Sequence, residues 1–359
     1  MRLETYGFEA GGFKTGGFEA APADIRALFD RQHLAEGCWD WFEVLAATTL
    51  SDTEKACVLA LVDEAGQALS AVPVVTVGGK VIRGLTSPFT TLFAAPFGSP
   101  NNARVLGRLV AGKAGARLRF DALDGAAAGA FESGLAAGGL AVARFHHFVN
   151  WFEEDINDFA AYWAGRGSQL QSTVKRKAAS LARGGRLQFE QMDMKADWRK
   201  GADIYQEIYA KSWKPAEPYP RFMDALLEKL GMRGIARLAI ARIDGVPAAA
   251  QVWLVDQARA TIFKLAHDPA FDRQSPGTLL THWFLQRLHQ QDGVHVVDFG
   301  RGDDSYKRQW LHASRGREGL LAANPRSLQG LATLLFDILP SRVVKRLRHQ
   351  PGNKTGQRS

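Results

Sequence analysis

The stretch Ser275-Pro276-Gly277-Thr278-Leu279-Leu280, taken with Asp298 to Trp310, constrains the fold more than any other part of the chain. An apolar run over 259–266 ends at His267-Asp268-Pro269 and reads as a strand. A helix then begins near Pro276, where the missing proline N–H leaves no donor unbonded. Ser275 is the expected N-cap, and the amides of Gly277, Thr278 and Leu279 are expected to point out of the helix start, an arrangement that binds phosphate. Arg273, just upstream, offers a charge-assisted contact to the same group. A second strand over 294–299 runs into a turn crowded with ionisable groups, Arg301-Gly302-Asp303-Asp304-Ser305-Tyr306-Lys307-Arg308.

At 359 residues with 46% hydrophobic content, the chain is long enough for two domains with a core each. Residues 6–20 carry a degenerate five-residue repeat rich in Gly and Phe, so 1–21 is expected to be a flexible tail. Residues 22–150 read as one α/β unit: a helix near 24–31, strands at 56–62, 69–77 and 81–85 joined by short turns, then helix 103–111, strand 117–122, helix 126–137 and strand 140–151. Residues 151–326 read as a second: helices near 156–164 and 168–182, strand 186–192, helices 198–212 and 220–230, strands 235–243, 248–255 and 259–266, then the helix from Pro276 and the strand 294–299. The last segment, 327–359, places Leu328, Leu331, Leu335 and Ile338 at helical spacing ahead of Arg342, Lys345, Arg346 and Arg348. An apolar face with a basic end suits a helix lying on anionic lipid, and equally a terminal helix packed on the body with a solvated end.

The net charge of +8 points to anionic partners: a phosphorylated cofactor, an acidic membrane surface or nucleic acid. Nucleic acid is the poorest fit, because the basic residues are not interleaved with aromatics and no binding module is present. Two cysteines, Cys38 and Cys57, supply neither a disulfide framework nor a metal site and point to the cytoplasm, with peripheral attachment to the inner membrane as the further expectation. No leader or bilayer-spanning run is expected. His146 and His147 fall on opposite faces of a strand, and no metal or serine-hydrolase motif occurs, so no metal is expected.

With these residues in hand, the chain resembles the GNAT superfamily of acyltransferases, in the FemAB-like, CelD-like branch with two GNAT-type units in tandem. The matching pieces are Gln169 to Lys177, Ser212-Trp213-Lys214-Pro215-Ala216-Glu217-Pro218, Ile262 to Ala266, Ser275 to Leu280, and Asp298 to Trp310; they cover most of 150–325. The resemblance implies an α/β (α+β) fold of two tandem GNAT-like domains, each a mixed, mostly antiparallel sheet flanked by helices. It also implies acyl-CoA as co-substrate. Gln274-Ser275-Pro276-Gly277-Thr278-Leu279 fits the pyrophosphate loop of the family except that Leu279 replaces a small residue, and the pantetheine arm would run between the strand of Lys264 and the strand ending at Asp298.

The reaction so implied moves an acyl group from a thioester to an amine, which needs a base for the protonated amine and an acid for the thiolate. Asp303 and Asp304 are the candidate bases, since adjacent carboxylates raise one another's proton affinity. Tyr306 falls where the family places its thiolate acid, and Lys264 and Lys307 are expected to steady negative charge or orient the carboxylates. Trp213, Lys214, Lys175 and Arg176 are the candidate acceptor-side residues. The resemblance places the chain nearest lipid-acylating, bacterial ceramide-synthase-like members, so a sphingoid base or similar lipid amine is the expected acceptor; amino sugars of a cell-envelope polysaccharide, or a non-catalytic binding role, are the alternatives. Phe89, Phe93 and Phe97 are expected to line an apolar groove or to belong to the core.

Overall fold

A computed structural model describes residues 1–10, 13–14 and 18–339. In chain order the N-terminal half contains β1 (Arg2–Gly7), the small separate pair β2 (Glu9–Ala10) and β3 (Phe13–Lys14), α1 (Ala23–Asp30), α2 (Trp39–Thr48), β4 (Lys55–Val62), β5 (Ala68–Val77), β6 (Lys80–Gly84), α3 (Pro100–Ala111), β7 (Ala114–Leu123), α4 (Gly125–Ala137) and β8 (Ala141–Glu153). The C-terminal half contains α5 (Phe159–Ala164), α6 (Ser168–Ala182), β9 (Leu187–Gln191), α7 (Met194–Lys211), α8 (Phe222–Met232), β10 (Ala236–Ile243), β11 (Val246–Asp256), β12 (Arg259–His267), α9 (Pro276–Asp292), β13 (Val296–Arg301), α10 (Lys307–Trp310), β14 (Ala313–Ala323) and α11 (Leu328–Thr333).

Each half follows the same plan. An antiparallel meander (β4-β5-β6; β10-β11-β12) feeds a helix, α3 or α9, that returns the chain to a parallel neighbour, β7 or β13. The two sheets expected from the sequence are fused into one of twelve strands, ordered β1-β4-β5-β6-β7-β14-β8-β13-β12-β11-β10-β9. The join is made by β8 and by β14, which enters between β7 and β8 and pairs with both. Close packing at this join requires glycine at 319, where a methyl group would sit 2.2 Å from the Phe145 ring.

The N-terminus departs from the flexible tail expected for 1–21. β1 pairs with β4 from Arg2↔Val62 to Gly7↔Cys57, and Phe8 is buried against Trp39. The basic residues from Arg342 onward lie outside the described residues. Among those described, no helix is long and apolar enough to cross a membrane.

A buried polar knot fixes the seam between the halves. Asn150 Nδ2 donates to Asp298 Oδ1 (2.6 Å) and to Gly300 O (3.0 Å), the Gly300 amide donates to Asp298 Oδ1 (2.7 Å), and Arg315 donates to both Asp298 Oδ2 (2.9 Å) and Asn150 Oδ1 (2.7 Å). Every polar group so enclosed finds a partner, which is the condition for a buried network to rigidify. Its consequence is positional: the end of β13 and the turn after it are held in place.

The two halves differ where their parallel strands part. In the N half, β6 and β7 pair through Arg83↔Arg119, and the parted ends are then filled by the chain's own connection: Phe93 donates its amide to Ala122 O (2.8 Å) and packs its ring on Phe120 (5.9 Å). Phe93 and Phe97 are therefore core, as the second of the two expectations held, whereas Phe89 reaches the other half. In the C half, β12 and β13 pair only from Arg259↔Val296 to Thr261↔Asp298. β12 then bulges at Phe263, and residues 268–275 turn directly into α9.

Candidate active site

The start of α9 differs from the expected cap. Ser275 adopts a left-handed conformation (φ 55°, ψ 49°), and its hydroxyl accepts no first-turn amide. Its carbonyl instead accepts from the Leu279 amide at 3.2 Å, so that amide is already used and the Leu279 side chain is buried in the core. The amides of Gly277 and Thr278 have no acceptor among the described residues. The helix start is pinned from behind by Gln251 Nε2 and Thr281 Oγ1, which donate to Gly277 O at 3.1 and 3.0 Å. Beside it, the enclosed side-chain oxygen of Gln274 has no donor. Arg273 is exposed, and its carbonyl accepts from Lys177 of α6. Two open amides on the positive end of a long helix, with an orphaned polar atom next to them, fit the pyrophosphate and amide groups of CoA.

β12 carries this end of the site to the next. At its tip His267 bonds Asp272 (2.8 Å) and packs on Trp213 (4.7 Å between rings), and a methyl group on Gly277 would lie 3.9 Å from His267 Nδ1. Three residues back, about 10 Å along the strand, Lys264 Nζ is gripped by both oxygens of Glu217 (2.7 and 2.9 Å) and sits 3.8 Å over the Phe89 ring. Both partners of this ion pair have side chains only 14% exposed. Lys214 Nζ donates to Leu265 O at 2.5 Å. Burial, reinforced by the Lys264 charge, pushes the Lys214 ammonium down to about 8. Asp304 and Lys307, in the turn after β13, also act electrostatically on Lys214, so the two sides of the parted strands meet there.

In that turn, Lys307 is buried and its ammonium is committed to Arg301 O (2.6 Å), Gly302 O (3.3 Å) and Asp304 Oδ2 (3.3 Å). With its donors so used it braces the turn and holds the Asp304 carboxylate. Asp303 departs from its expected role. Its two oxygens accept from Trp151 Nε1 and Arg308 Nη2, each at 2.8 Å. These bonds hold its carboxyl below the usual range, opposite to the raised proton affinity expected of it. Tyr306, 37% exposed, packs on Phe299 (6.3 Å), and partial desolvation together with the Asp304 charge raises its pKa, so the phenol keeps its proton. Lys175 and Arg176 are exposed on α6, and the described contact of Arg176, to Ser172 O at 3.3 Å, stays within that helix.

Glu217 was not among the residues singled out from the sequence, although Trp213-Lys214-Pro215-Ala216-Glu217-Pro218 was. Its role becomes visible only when α7 and α8 bring the segment over β12. Asn150, Arg315 and Trp151 were likewise missed, because a strand asparagine or tryptophan carries no local signature.

Residues 168–308 match the family described as an acetyltransferase (GNAT) domain. The crystal structure of FemX aligns with a TM-score of 0.58 over 83% of this chain and 93% of its own, at 10% identity. The C-terminal domain of a putative lysylphosphatidylglycerol synthetase from Agrobacterium fabrum aligns with a TM-score of 0.53 over 87% of this chain and 95% of its own, at 15% identity. At such identities the likeness is one of fold. No curated protein matches the sequence. The match gives residues 168–308 a GNAT domain, and the sheet built on two repeats of one plan, with β12 parting from β13, gives the chain a tandem GNAT-type fold.

Proposed function

We propose that the protein is an acyl-CoA-dependent N-acyltransferase whose acceptor is the primary amine of a membrane lipid of the sphingoid-base type. The observation that carries the reading is the convergence at the parted strands. Lys214, its pKa about 8, and the buried Lys264–Glu217 pair lie on the β12 side; Asp304, which acts on Lys214 across the gap, also acts on Tyr306, and the open amides of Gly277 and Thr278 stand past the end of β12.

Each residue then has a task. The amides of Gly277 and Thr278 hold the pyrophosphate, and the unpaired edges of β12 and β13 hold the pantetheine arm. Lys214, neutral in about a tenth of molecules at pH 7 if its pKa is 8, takes the proton from the incoming ammonium. The freed amine forms a C–N bond at the thioester carbonyl, the C–S bond breaks as the departing sulfur accepts the Tyr306 proton, and the second proton of the attacking nitrogen passes to the Tyr306 phenolate, leaving a neutral amide and a free thiol; Lys214 returns its proton to solvent. The Lys264 charge helps to keep Lys214 from charging fully, and the Lys264–Glu217 pair orients the amine. Asp303 and Lys307 shape the turn that presents Tyr306.

The lipid acceptor is supported by an uncovered apolar surface at the C-terminal end: Leu328 is 89% and Phe336 77% exposed, with Leu331, Leu335 and Leu339 beside them. Ile338 is buried and anchors that segment to the body. Such a surface, followed in sequence by Arg342, Lys345, Arg346 and Arg348, suits attachment to anionic lipid. The test is to incubate purified protein with long-chain acyl-CoA and either sphinganine or glucosamine, following free thiol and identifying the amide by mass spectrometry. Thiol release with sphinganine and none with glucosamine is expected; the reverse overturns the lipid reading.

A further inference from the structure

A cavity of about 630 Å³ lies between the two halves and is not used by the steps above. Its wall includes Arg83, Arg119, Asp121 and His147 from the N half, with Tyr219 and Arg301 from the C half. We propose that this cleft is the head-group site of the acceptor and that it binds a phosphate ester carried by the same molecule as the reacting amine. This rests on the reading of the protein as an N-acyltransferase and names the acceptor more closely.

Two of the three arginines are answered from within the protein: Arg83 pairs with Glu54 at 2.9 Å, and Arg119 Nε lies 3.0 and 2.9 Å from the oxygens of Asp121. Arg301 is not. It has no carboxylate at ion-pair distance among the described residues; its guanidinium lies 4.8 Å over the Phe148 ring, gives one bond to Pro88 O (3.3 Å), and faces His147 Nε2 at 2.9 Å.

That last contact is the telling one. The Ala122 amide donates to His147 Nδ1 at 3.0 Å, which leaves the ring proton of the neutral imidazole on Nε2. Nε2–H and Arg301 Nη2–H therefore meet as two donors with no acceptor between them; the nearest carboxylate to the imidazole, Asp121, stands at 3.7 Å. Charging the ring would keep Nε2–H and set a second N–H against the Ala122 amide, and burial lowers the His147 pKa. An oxygen anion entering the cleft would accept from both donors and supply the charge that Arg301 lacks, and the planar guanidinium matches a phosphate. The remaining surface suits it too, since Thr86, Ser87 and Thr90 add hydroxyl groups.

The cleft also adjoins the reaction centre. Tyr219 and Phe89 pack on each other (5.8 Å), and Phe89 is the ring under Lys264 Nζ. Arg301 O is the acceptor for Lys307 Nζ in the turn that presents Tyr306. A molecule with its phosphate on Arg301 and His147 would thus hold its amine on the far side of one aromatic ring, by Glu217 and Lys214. The N half, whose own parted strands are filled, acquires a task in acceptor recognition.

The experiment is equilibrium binding to the full chain without acyl-CoA, by calorimetry. Sphinganine 1-phosphate is compared with sphinganine in neutral micelles, and glucosamine 6-phosphate with glucosamine in buffer. At least one phosphorylated probe should bind tenfold or more tightly than its unphosphorylated counterpart, and the pair that shows the preference identifies a lipid or a sugar source. Arg301→Gln should erase the preference and Arg301→Lys should keep part of it, with melting curves checking that both variants are folded. If neither phosphorylated probe gains tenfold on the wild-type protein, or if folded Arg301→Gln keeps the preference, the proposal is wrong. Phosphate preference without thiol release on adding acyl-CoA would instead sink the acyltransferase reading and leave the anion site standing.

Discussion

Replacing Lys264 by methionine strands the Glu217 carboxylate in a site where its side chain is only 14% exposed. Removing one member of a buried ion pair costs about 3–5 kcal/mol, because the partner keeps its desolvation penalty and loses its compensation. Residual exposure argues for the low end, and the cation over Phe89 at 3.8 Å adds about 0.5–1 kcal/mol. Lys264→Met should therefore lose about 3–4 kcal/mol, a fall of about 6–12 °C in melting temperature at roughly 2–3 °C per kcal/mol for a chain of this size. Glu217→Gln should lose a comparable amount by stranding the ammonium. The double variant strands neither charge, and it should return to within about 1 kcal/mol of the wild type, a coupling of about 5 kcal/mol or more in magnitude. Circular dichroism melts of the four proteins at pH 7 measure the cycle. Additive losses, or a Lys264→Met variant that melts within about 2 °C of the wild type, would refute the account of this pair as buried and interdependent.

Transfer to the amine should rise with pH through about 8, because the neutral fraction of Lys214 grows as pH passes its depressed pKa, and Lys214→Met should lose that limb together with about two orders of magnitude in kcat. Glu217→Gln removes a negative charge that favours the ammonium, so the same limb should move to lower pH; a shift upward would contradict the assignment. Asp303→Asn should cut turnover less than about tenfold and leave the limb in place, since Asp303 is tied to Trp151 and Arg308 and general-base loss would cost about a hundredfold or more. Gly300→Ala should lower stability by about 1–2 kcal/mol, because Gly300 sits at φ +61° with a methyl group 3.2 Å from Thr91 Cγ2; a neutral effect in a denaturant titration would dispute the geometry at the end of β13.

Regular elements with strong apolar patterning were legible in the sequence. The 168–182 helix appears with the bounds expected of it, and β4, β5, β10 and β12 lie within a residue of expectation. β14 was not legible, because Ala313-Ser314-Arg315-Gly316-Arg317-Glu318-Gly319 lacks apolar alternation and becomes a strand only by pairing on both sides with β7 and β8. The fusion of two sheets into one escaped notice for the same reason, since long-range pairing leaves little trace in local composition. β1 was hidden by the glycine-rich repeat that follows it. At the candidate site, the segments were found and the roles within them were not. The family resemblance brought Lys264, Asp303, Asp304, Tyr306 and Lys307 to attention, but which carboxylate is tied up, which ammonium is braced and which lysine is desolvated depend on Trp151, Arg308, Arg301 O and Glu217, all supplied by the tertiary fold.

The most direct measurement is a crystal structure of the protein with a long-chain acyl-CoA whose thioester is replaced by a thioether. The account predicts the pyrophosphate on the Gly277 and Thr278 amides, the pantetheine arm between the parted ends of β12 and β13, and the sulfur within hydrogen-bond reach of the Tyr306 hydroxyl. Density for the nucleotide in the N half, or a sulfur on the far side of β12 from Lys214 and Tyr306, would contradict it.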